Sequence, residues 1–345
     1  MTTATKGLVL VTGANGYIAA RTVEAFLQAG YSVRGTVRSL SSATEIQQAL
    51  SQYADRLEFV QVPDITVPGA FDEAVKGVSA IAHLASPVSF SFTDPEPVLK
   101  SARLGTLRAL ESAAVTPTIK SFIYMSSITA ILQGRTSDYV YTETDWNTLA
   151  EKAVAEQGKD TPGRVIYAAS KVAAERTLWK FREENKVGFS VAAINPSFVA
   201  GPPLVVPESQ DKIAMSTSLI PDVFVGKKLD VAGYPGVYNG YVDVRDVARV
   251  VVFGVEHPGK VDGERFLLAA HYAPPQAVAD ILRRVYPERK NVIQEGTPGE
   301  GYLPDYSFSG IVYDGSKAER VTGQEYTPWE QTVVDTVEKL KPILV

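Results

Sequence analysis

The sequence predicts an α/β protein built on a doubly wound parallel sheet, followed by a smaller and irregular C-terminal domain. Three observations predict it. Uninterrupted apolar runs alternate with helical stretches through the first 200 residues. The first of these runs ends in closely spaced glycines that open a helix. The alternation is lost after Asn195-Pro196, where proline and glycine become frequent. Continuously apolar strands are those buried on both faces, as in a parallel sheet covered by helices. Right-handed crossovers then give double winding.

In chain order, strands are expected at 8–11, 32–37, 57–62, 80–84, 121–125 and 190–194, and helices at 17–29, 42–53, 70–76, 95–115 and 163–185. The strand Leu8-Val9-Leu10-Val11 runs into Gly13-Ala14-Asn15-Gly16-Tyr17-Ile18-Ala19. Glycines there turn the chain tightly and let backbone N–H groups reach a pyrophosphate, while the helix N-terminus adds partial positive charge. The spacing is Gly-x-x-Gly-x-x-Ala rather than Gly-x-Gly-x-x-Gly, so the motif depends on its context. Beyond residue 196, helical patterns at 208–225, 244–256, 274–285 and 328–340 are mixed with short strand candidates, among them 265–269. The expected division is a nucleotide-binding domain over 1–200, rejoined by a returning segment at 237–262, and a mainly substrate-binding domain over 201–345.

Composition excludes several functions. A chain of 345 residues has room for a large α/β domain and a smaller one. The net charge of −5, with no basic block, argues against nucleic acid and anionic membrane surfaces as partners. No apolar stretch is long enough to cross a membrane, and residues 1–6 lack a signal-peptide core, so a cytoplasmic protein is expected. The absence of cysteine removes disulfides, thiol catalysis and thiolate zinc sites. His83, His257 and His271 are scattered, and no metal site is expected. Redox chemistry would therefore need an organic cofactor.

Tyr167-Ala168-Ala169-Ser170-Lys171 places a phenol and an ammonium four residues apart, on one helix face. A free tyrosine, with a pKa of about 10, is a poor acid or base at neutral pH. A nearby ammonium favours the phenolate, and a lowering by two to three units needs roughly 3–4 kcal/mol of such interaction. Ser126-Ser127 ends the strand at 121–125, where C-terminal strand ends border a ligand crevice. A hydroxyl there can donate a hydrogen bond to a carbonyl oxygen. Taken singly, these features read first as a surface helix pair and as serines capping a loop.

In combination they carry a resemblance. Thr12-Gly13-x-x-Gly16-x-x-Ala19, strand-end Ser127, Tyr167-x-x-x-Lys171 and Tyr241-Val242-Asp243-Val244-Arg245-Asp246-Val247-Ala248 occur in the order of an extended short-chain dehydrogenase/reductase. Within that superfamily the sequence resembles fungal NADPH-dependent aldehyde and ketone reductases of the methylglyoxal/isovaleraldehyde and carbonyl reductase types, and more distantly plant dihydroflavonol reductases. The resemblance implies a Rossmann fold and a catalytic set of Ser127, Tyr167 and Lys171. NADPH would deliver hydride to an aldehyde, ketone or keto ester, Tyr167 would protonate the alkoxide, and Ser127 would stabilise the oxygen. Lys171 would lower the pKa of Tyr167 and bind the nicotinamide ribose.

The same resemblance places NADP against Gly13, Ala14, Asn15, Gly16, Tyr17, Ile18, Tyr167 and Lys171. Asp64 and Ile65 are implied beside the adenine, Ala85 under its ribose, and Pro196 and Val199 at the nicotinamide carboxamide. The second strand ends without the acid that holds an NAD ribose; Arg38 stands there instead, suited to a 2′-phosphate. Two departures stand out: Ser42 occupies the place of the fungal enzymes' second cation, and Leu104 precedes Gly105 where the superfamily often has Asn. His83 reads as a hydrogen-bonded structural histidine, and Asp243, Arg245 and Asp246 as a network anchoring an interdomain helix. The alternatives are a dihydroflavonol- or cinnamoyl-CoA-like reductase, a sugar-nucleotide epimerase or dehydratase with tightly held NAD, and a catalytically silent NADP sensor. The partner expected is a small carbonyl compound, and the state a monomer or homodimer.

Overall fold

The computed structural model describes residues 5–135, 138–229, 240–307 and 310–344. Its elements begin with β1 (Leu8–Thr12), α1 (Tyr17–Gln28), β2 (Ser32–Val37), α2 (Thr44–Ala49), β3 (Leu57–Gln61), β4 (Ala80–His83) and α3 (Pro95–Ala114). There follow β5 (Ser121–Met125), β6 (Tyr139–Tyr141), α4 (Thr148–Gln157), α5 (Gly163–Asn185), β7 (Ser190–Pro196), β8 (Phe198–Ala200) and α6 (Leu219–Phe224). The last are β9 (Tyr241–Asp243), α7 (Val244–Glu256), α8 (Pro258–Val261), β10 (Arg265–Leu268), α9 (Pro275–Val285), β11 (Ile311–Tyr313), α10 (Ser316–Thr322) and α11 (Trp329–Leu344).

The chain forms two compact units. One comprises Met1–Gly134, Glu143–Asn195 and Ala248–Phe266, and the other Arg135–Thr142, Pro196–Val247 and Leu267–Val345. The first is organised by a seven-stranded parallel sheet in the order β10-β7-β5-β4-β1-β2-β3. From β1 the chain winds outward through β2 and β3, then returns to β4 and continues the other way. The switch therefore lies between β1 and β4, where Thr12 is level with His83. At such a switch the crossovers leave on opposite faces and open a crevice beyond the carboxyl ends of the strands.

Burial on both faces holds this sheet. Leu10, Ile81, Phe122 and Val191 from the strands pack in one cluster with Leu110 of α3 and Leu178 of α5. Each such side chain removed from water contributes about 1.5–3 kcal/mol. α3 starts sharply because Asp94 accepts from the Glu96 N–H at 3.1 Å and Pro95 needs no donor partner. In the second unit, Trp329, Val333, Val337 and Leu340 make one face of α11. They pack with Ile220 and Phe224 of α6 and Val278, Ile281 and Leu282 of α9.

Several sequence expectations need correction. Residues 70–76 form turns with buried Phe71 and Val75, not a helix. Gly69 and Gly77 bound them in left-handed conformations, and Asp72, Lys76 and Val78 bond to carbonyls three residues back rather than four, so the chain makes successive turns. The stretch at 42–53 is helical only over α2, between 3-10 turns in which Ser42 and Thr44 bond back to the carbonyls of Ser39 and Ser41. Likewise 208–225 breaks into 3-10 turns and the short α6, with Thr217 and Ser218 bonded to backbone carbonyls.

β10, expected among the strands of the smaller domain, is the edge strand of the main sheet. The first unit pauses at Asn195 rather than 200, and its return is 248–266 rather than 237–262. The start of that expected return, 237–239, and Gly233, Pro235 and Gly236 lie outside the described residues. The return begins inside α7 because the start of that helix is tied within the second unit. Arg245 bonds Asp243 at 2.8 Å and pairs with Asp335, while Asp246 accepts from Thr327.

Candidate active site

The first unit brings Ser127, Tyr167 and Lys171 together at the end of β5. Ser127 has extended backbone (φ −163°, ψ 153°) and caps the 3-10 turn Ile128–Ala130. Its oxygen accepts from the Thr129 N–H at 3.2 Å and the Thr129 hydroxyl at 3.0 Å. The Ser127 proton is then the group left to donate, and it faces the Tyr167 hydroxyl. Tyr167 and Lys171 lie one turn apart on α5, both buried, with the ammonium 5.9 Å from the phenol ring centre. The ring of Phe90 lies 5.4 Å from that of Tyr167. This approach requires Gly163 at the start of α5, because a Cβ there would come within 2.3 Å of the Phe90 carbonyl oxygen.

Burial governs the electrostatics. It pushes the Tyr167 phenol up to about 12, with the Ser127 hydroxyl pulling it partly back. It lowers the Lys171 ammonium to about 8, against the attraction of Glu175. The expected lowering of the Tyr167 pKa is therefore not found: removing the phenolate from water outweighs the Ser127 hydrogen bond. The arrangement keeps Tyr167 protonated at neutral pH, with the Lys171 ammonium beside its ring.

Lys171 donates to the Met125 carbonyl at 3.3 Å. One turn further along α5, Glu175 is fully buried and accepts from Ser126, Asn195, Trp179 and Arg265. Sequence reasoning passed over Glu175 and Arg265. The available signal was a charge in phase with the buried face of a helix, and another opening an apolar strand.

At the sheet's switch point, Gly13 has φ +64°, and a Cβ there would stand 3.0 Å from the Ala85 Cα. Only glycine gives this turn its close approach. Ala14 is buried, Asn15 and Gly16 are exposed, and Tyr17 and Ile18 begin α1, whose Gly16 cap makes no side-chain hydrogen bond. The Thr12 hydroxyl oxygen accepts from the N–H groups of both Leu84 and Ala85 at 2.9 Å, so its proton goes to His83 Nδ1 at 3.0 Å. His83 is thus neutral, and burial lowers it to about 3, with the Lys171 charge adding to the effect. Its role is to hold the Ala85 backbone in place.

Arg38 follows β2, exposed, and its guanidinium has no hydrogen-bond partner among the described residues. Asp64 is also exposed, with one oxygen taken by the N–H and hydroxyl of Thr66, which lower its pKa. Ile65 is half-buried against Gly105. Pro196, the last residue of β7, and Val199, level with Val242 of β9, belong to the second unit. The second unit also has a cavity of about 320 Å³ lined by Asp280, Arg284, Tyr302 and Tyr306, none of them a candidate residue. Among the described residues no cluster suits a metal ion, and no helix is long and apolar enough to cross a membrane.

Residues 9–269 match the pattern of the NAD dependent epimerase/dehydratase family. A ketoreductase of Aspergillus niger is 33% identical over 340 residues, covering 96% of this chain and 97% of its own. Aldehyde reductase 2 of Sporidiobolus salmonicolor is 41% identical over 208 residues, 59% of this chain and 60% of its own. Among solved structures, yeast methylglyoxal/isovaleraldehyde reductase Gre2 complexed with NADPH superposes with a TM-score of 0.82 at 27% identity. That match covers 97% of this chain and 98% of the yeast chain.

Proposed function

The chain belongs to the NAD dependent epimerase/dehydratase family, in its extended short-chain dehydrogenase/reductase branch, and from that premise we propose that Ser127, Tyr167 and Lys171 carry its catalysis. The activity is NADPH-dependent reduction of a carbonyl group to an alcohol, with aldehydes, ketones or keto esters as substrates. The observation that carries the residue assignment is the meeting of the three buried side chains at one strand end of the sheet.

The residues present fit the cofactor. The Gly13–Gly16 turn follows β1 at the sheet's switch point with Gly13 in a left-handed conformation, α1 opens on it without a side-chain cap, and the exposed Arg38 guanidinium pairs with no acid among the described residues. Gly13, Ala14, Asn15, Gly16, Tyr17 and Ile18 would hold the pyrophosphate through backbone N–H groups and the helix terminus. Arg38 would take the 2′-phosphate, Asp64, Ile65 and Ala85 the adenosine, and Pro196 and Val199 the carboxamide. When bound, NADPH supplies the hydride.

The protein supplies polarisation and a proton. Ser127 donates to the carbonyl oxygen, which strengthens as charge gathers there. Tyr167 donates to the same oxygen and gives up its proton as the alkoxide forms. Lys171 offsets the phenolate left behind. Monomeric or homodimeric state and cytoplasmic location belong to the same proposal.

The test is consumption of NADPH by the purified protein across aliphatic, aromatic and keto-ester carbonyls, with chiral analysis of the alcohols. No consumption across such a panel would overturn the reading. Protein purified with stoichiometric NAD⁺ and redox-neutral turnover of a nucleotide sugar would replace it with epimerase chemistry.

A further inference from the structure

We propose that Glu175, paired with Arg265, is a positioning residue for the reduction: it holds the strand end that carries Ser127 and keeps the Lys171 ammonium in its place. The inference rests on the assignment of Ser127, Tyr167 and Lys171 given above.

Glu175 follows Tyr167 and Lys171 at successive four-residue steps, so the three form one stripe of α5. Its carboxylate is wholly buried and collects donors from four elements. Arg265 Nε of β10 lies at 2.5 Å and Asn195 Nδ2 of β7 at 2.8 Å. Ser126 at the end of β5 and Trp179 of α5 complete the set. A buried ion pair is a poor way to gain stability, since well-packed apolar groups of similar volume commonly do as well or better. This one joins the residues around the reacting site.

The hydrogen bonds close into a circuit around Ser127. The Arg265 guanidinium donates to the carbonyls of Glu143 and Asp145, both at 2.6 Å, and lies 4.0 Å over the ring of Trp146. The next residue, Asn147, donates its side-chain amide to the Thr129 carbonyl at 2.9 Å and its backbone N–H to that of Ala130 at 2.8 Å. That is the turn capped by Ser127. Asn195 returns to the start, donating to the Ser127 carbonyl at 3.2 Å as well as to Glu175. Ser127 is thus held from its carbonyl and from its following turn by a network with Glu175 at its centre.

Charge gives the second role. Among the described residues, the titratable groups around Lys171 are Tyr167 and Glu175 on α5, His83 on β4 and Tyr124 on β5, with Arg265 of β10 paired to Glu175. Burial keeps His83 neutral and raises Tyr124, leaving it protonated. Glu175 is therefore the anion that holds the Lys171 proton against burial.

The experiment is the pH profile of kcat/KM for an aldehyde with NADPH, from neutral to alkaline pH, in parent and E175Q. Folding is checked by unfolding midpoint. The alkaline limb reports loss of the Lys171 proton, and E175Q should move it down by about one pH unit or more. Should E175Q fail to fold, E175Q/R265Q leaves neither side chain as an unpaired charge and is expected to show the same shift. A folded variant whose limb coincides with the parent's would overturn the proposal. Failure of both variants to fold would assign the pair to the core alone and overturn it too. Y167F, measured alongside, separates the two levels. Parental turnover in Y167F would sink the catalytic assignment itself, whereas an inactive Y167F with an unmoved limb in E175Q refutes only the role of Glu175.

Discussion

Replacing Lys171 with methionine removes the ammonium while keeping the length of the side chain. Lys171 is 3% exposed, and its pKa falls from 10.5 to about 8, through burial first and with Glu175 opposing. Keeping that proton on the folded chain at neutral pH costs about 3 kcal/mol. The substitution also strips the Met125 carbonyl of its donor, at a cost of about 1 kcal/mol. K171M should therefore be more stable than the parent by about 2 kcal/mol at neutral pH, yet inactive. Because the folded pKa lies below the unfolded one, the unfolded chain binds more protons between about pH 8 and 10.5. The Lys171 contribution to parent stability accordingly rises with pH through that window, and the advantage of K171M disappears by its upper end. Unfolding of both proteins, followed at steps from neutral pH to about 10.5, measures the gap. A variant less stable than the parent at neutral pH, or a gap that stays constant, would refute the reasoning.

Two further outcomes follow from the same geometry. R38A should raise KM for NADPH by about tenfold while leaving KM for NADH nearly unchanged, since it removes a charge-assisted contact to the 2′-phosphate. An unchanged preference between the two cofactors in steady-state assays would remove Arg38 from that contact. S127A should lower kcat by about 100- to 1,000-fold, the scale of losing one donor to a developing oxyanion. NADPH titration by fluorescence should give the parental affinity, so a loss confined to binding would count against the role given to Ser127.

Much of the first unit can be read locally because its strands are continuous apolar runs and its longest helix carries a regular buried face. α5 matches its sequence expectation at both ends, and α7 likewise. Where local pattern failed, the cause is physical. Residues 70–76 contain the right apolar spacing for a helix, but their backbone bonds mostly three residues back and makes turns instead. β10 is readable as a strand, yet its partner β7 lies far away in sequence, so no local signal could assign it to the main sheet. The site divides the same way. Tyr167 and Lys171 announce themselves through helical spacing, and Ser127 through its place at a strand end. Glu175 and Arg265 acquire their meaning only from each other, across 90 residues of chain. Spacing shows the ammonium one turn from Tyr167 but not the burial that raises the phenol's pKa.

The central claim is that Tyr167 gives the proton in an NADPH-dependent carbonyl reduction. The most direct measurement is turnover of Y167F under saturating NADPH with a carbonyl substrate the parent reduces, with cofactor affinity measured in parallel. A fall of about 100-fold or more in kcat, with NADPH affinity retained, is the predicted result. Turnover within a few-fold of the parent would contradict it.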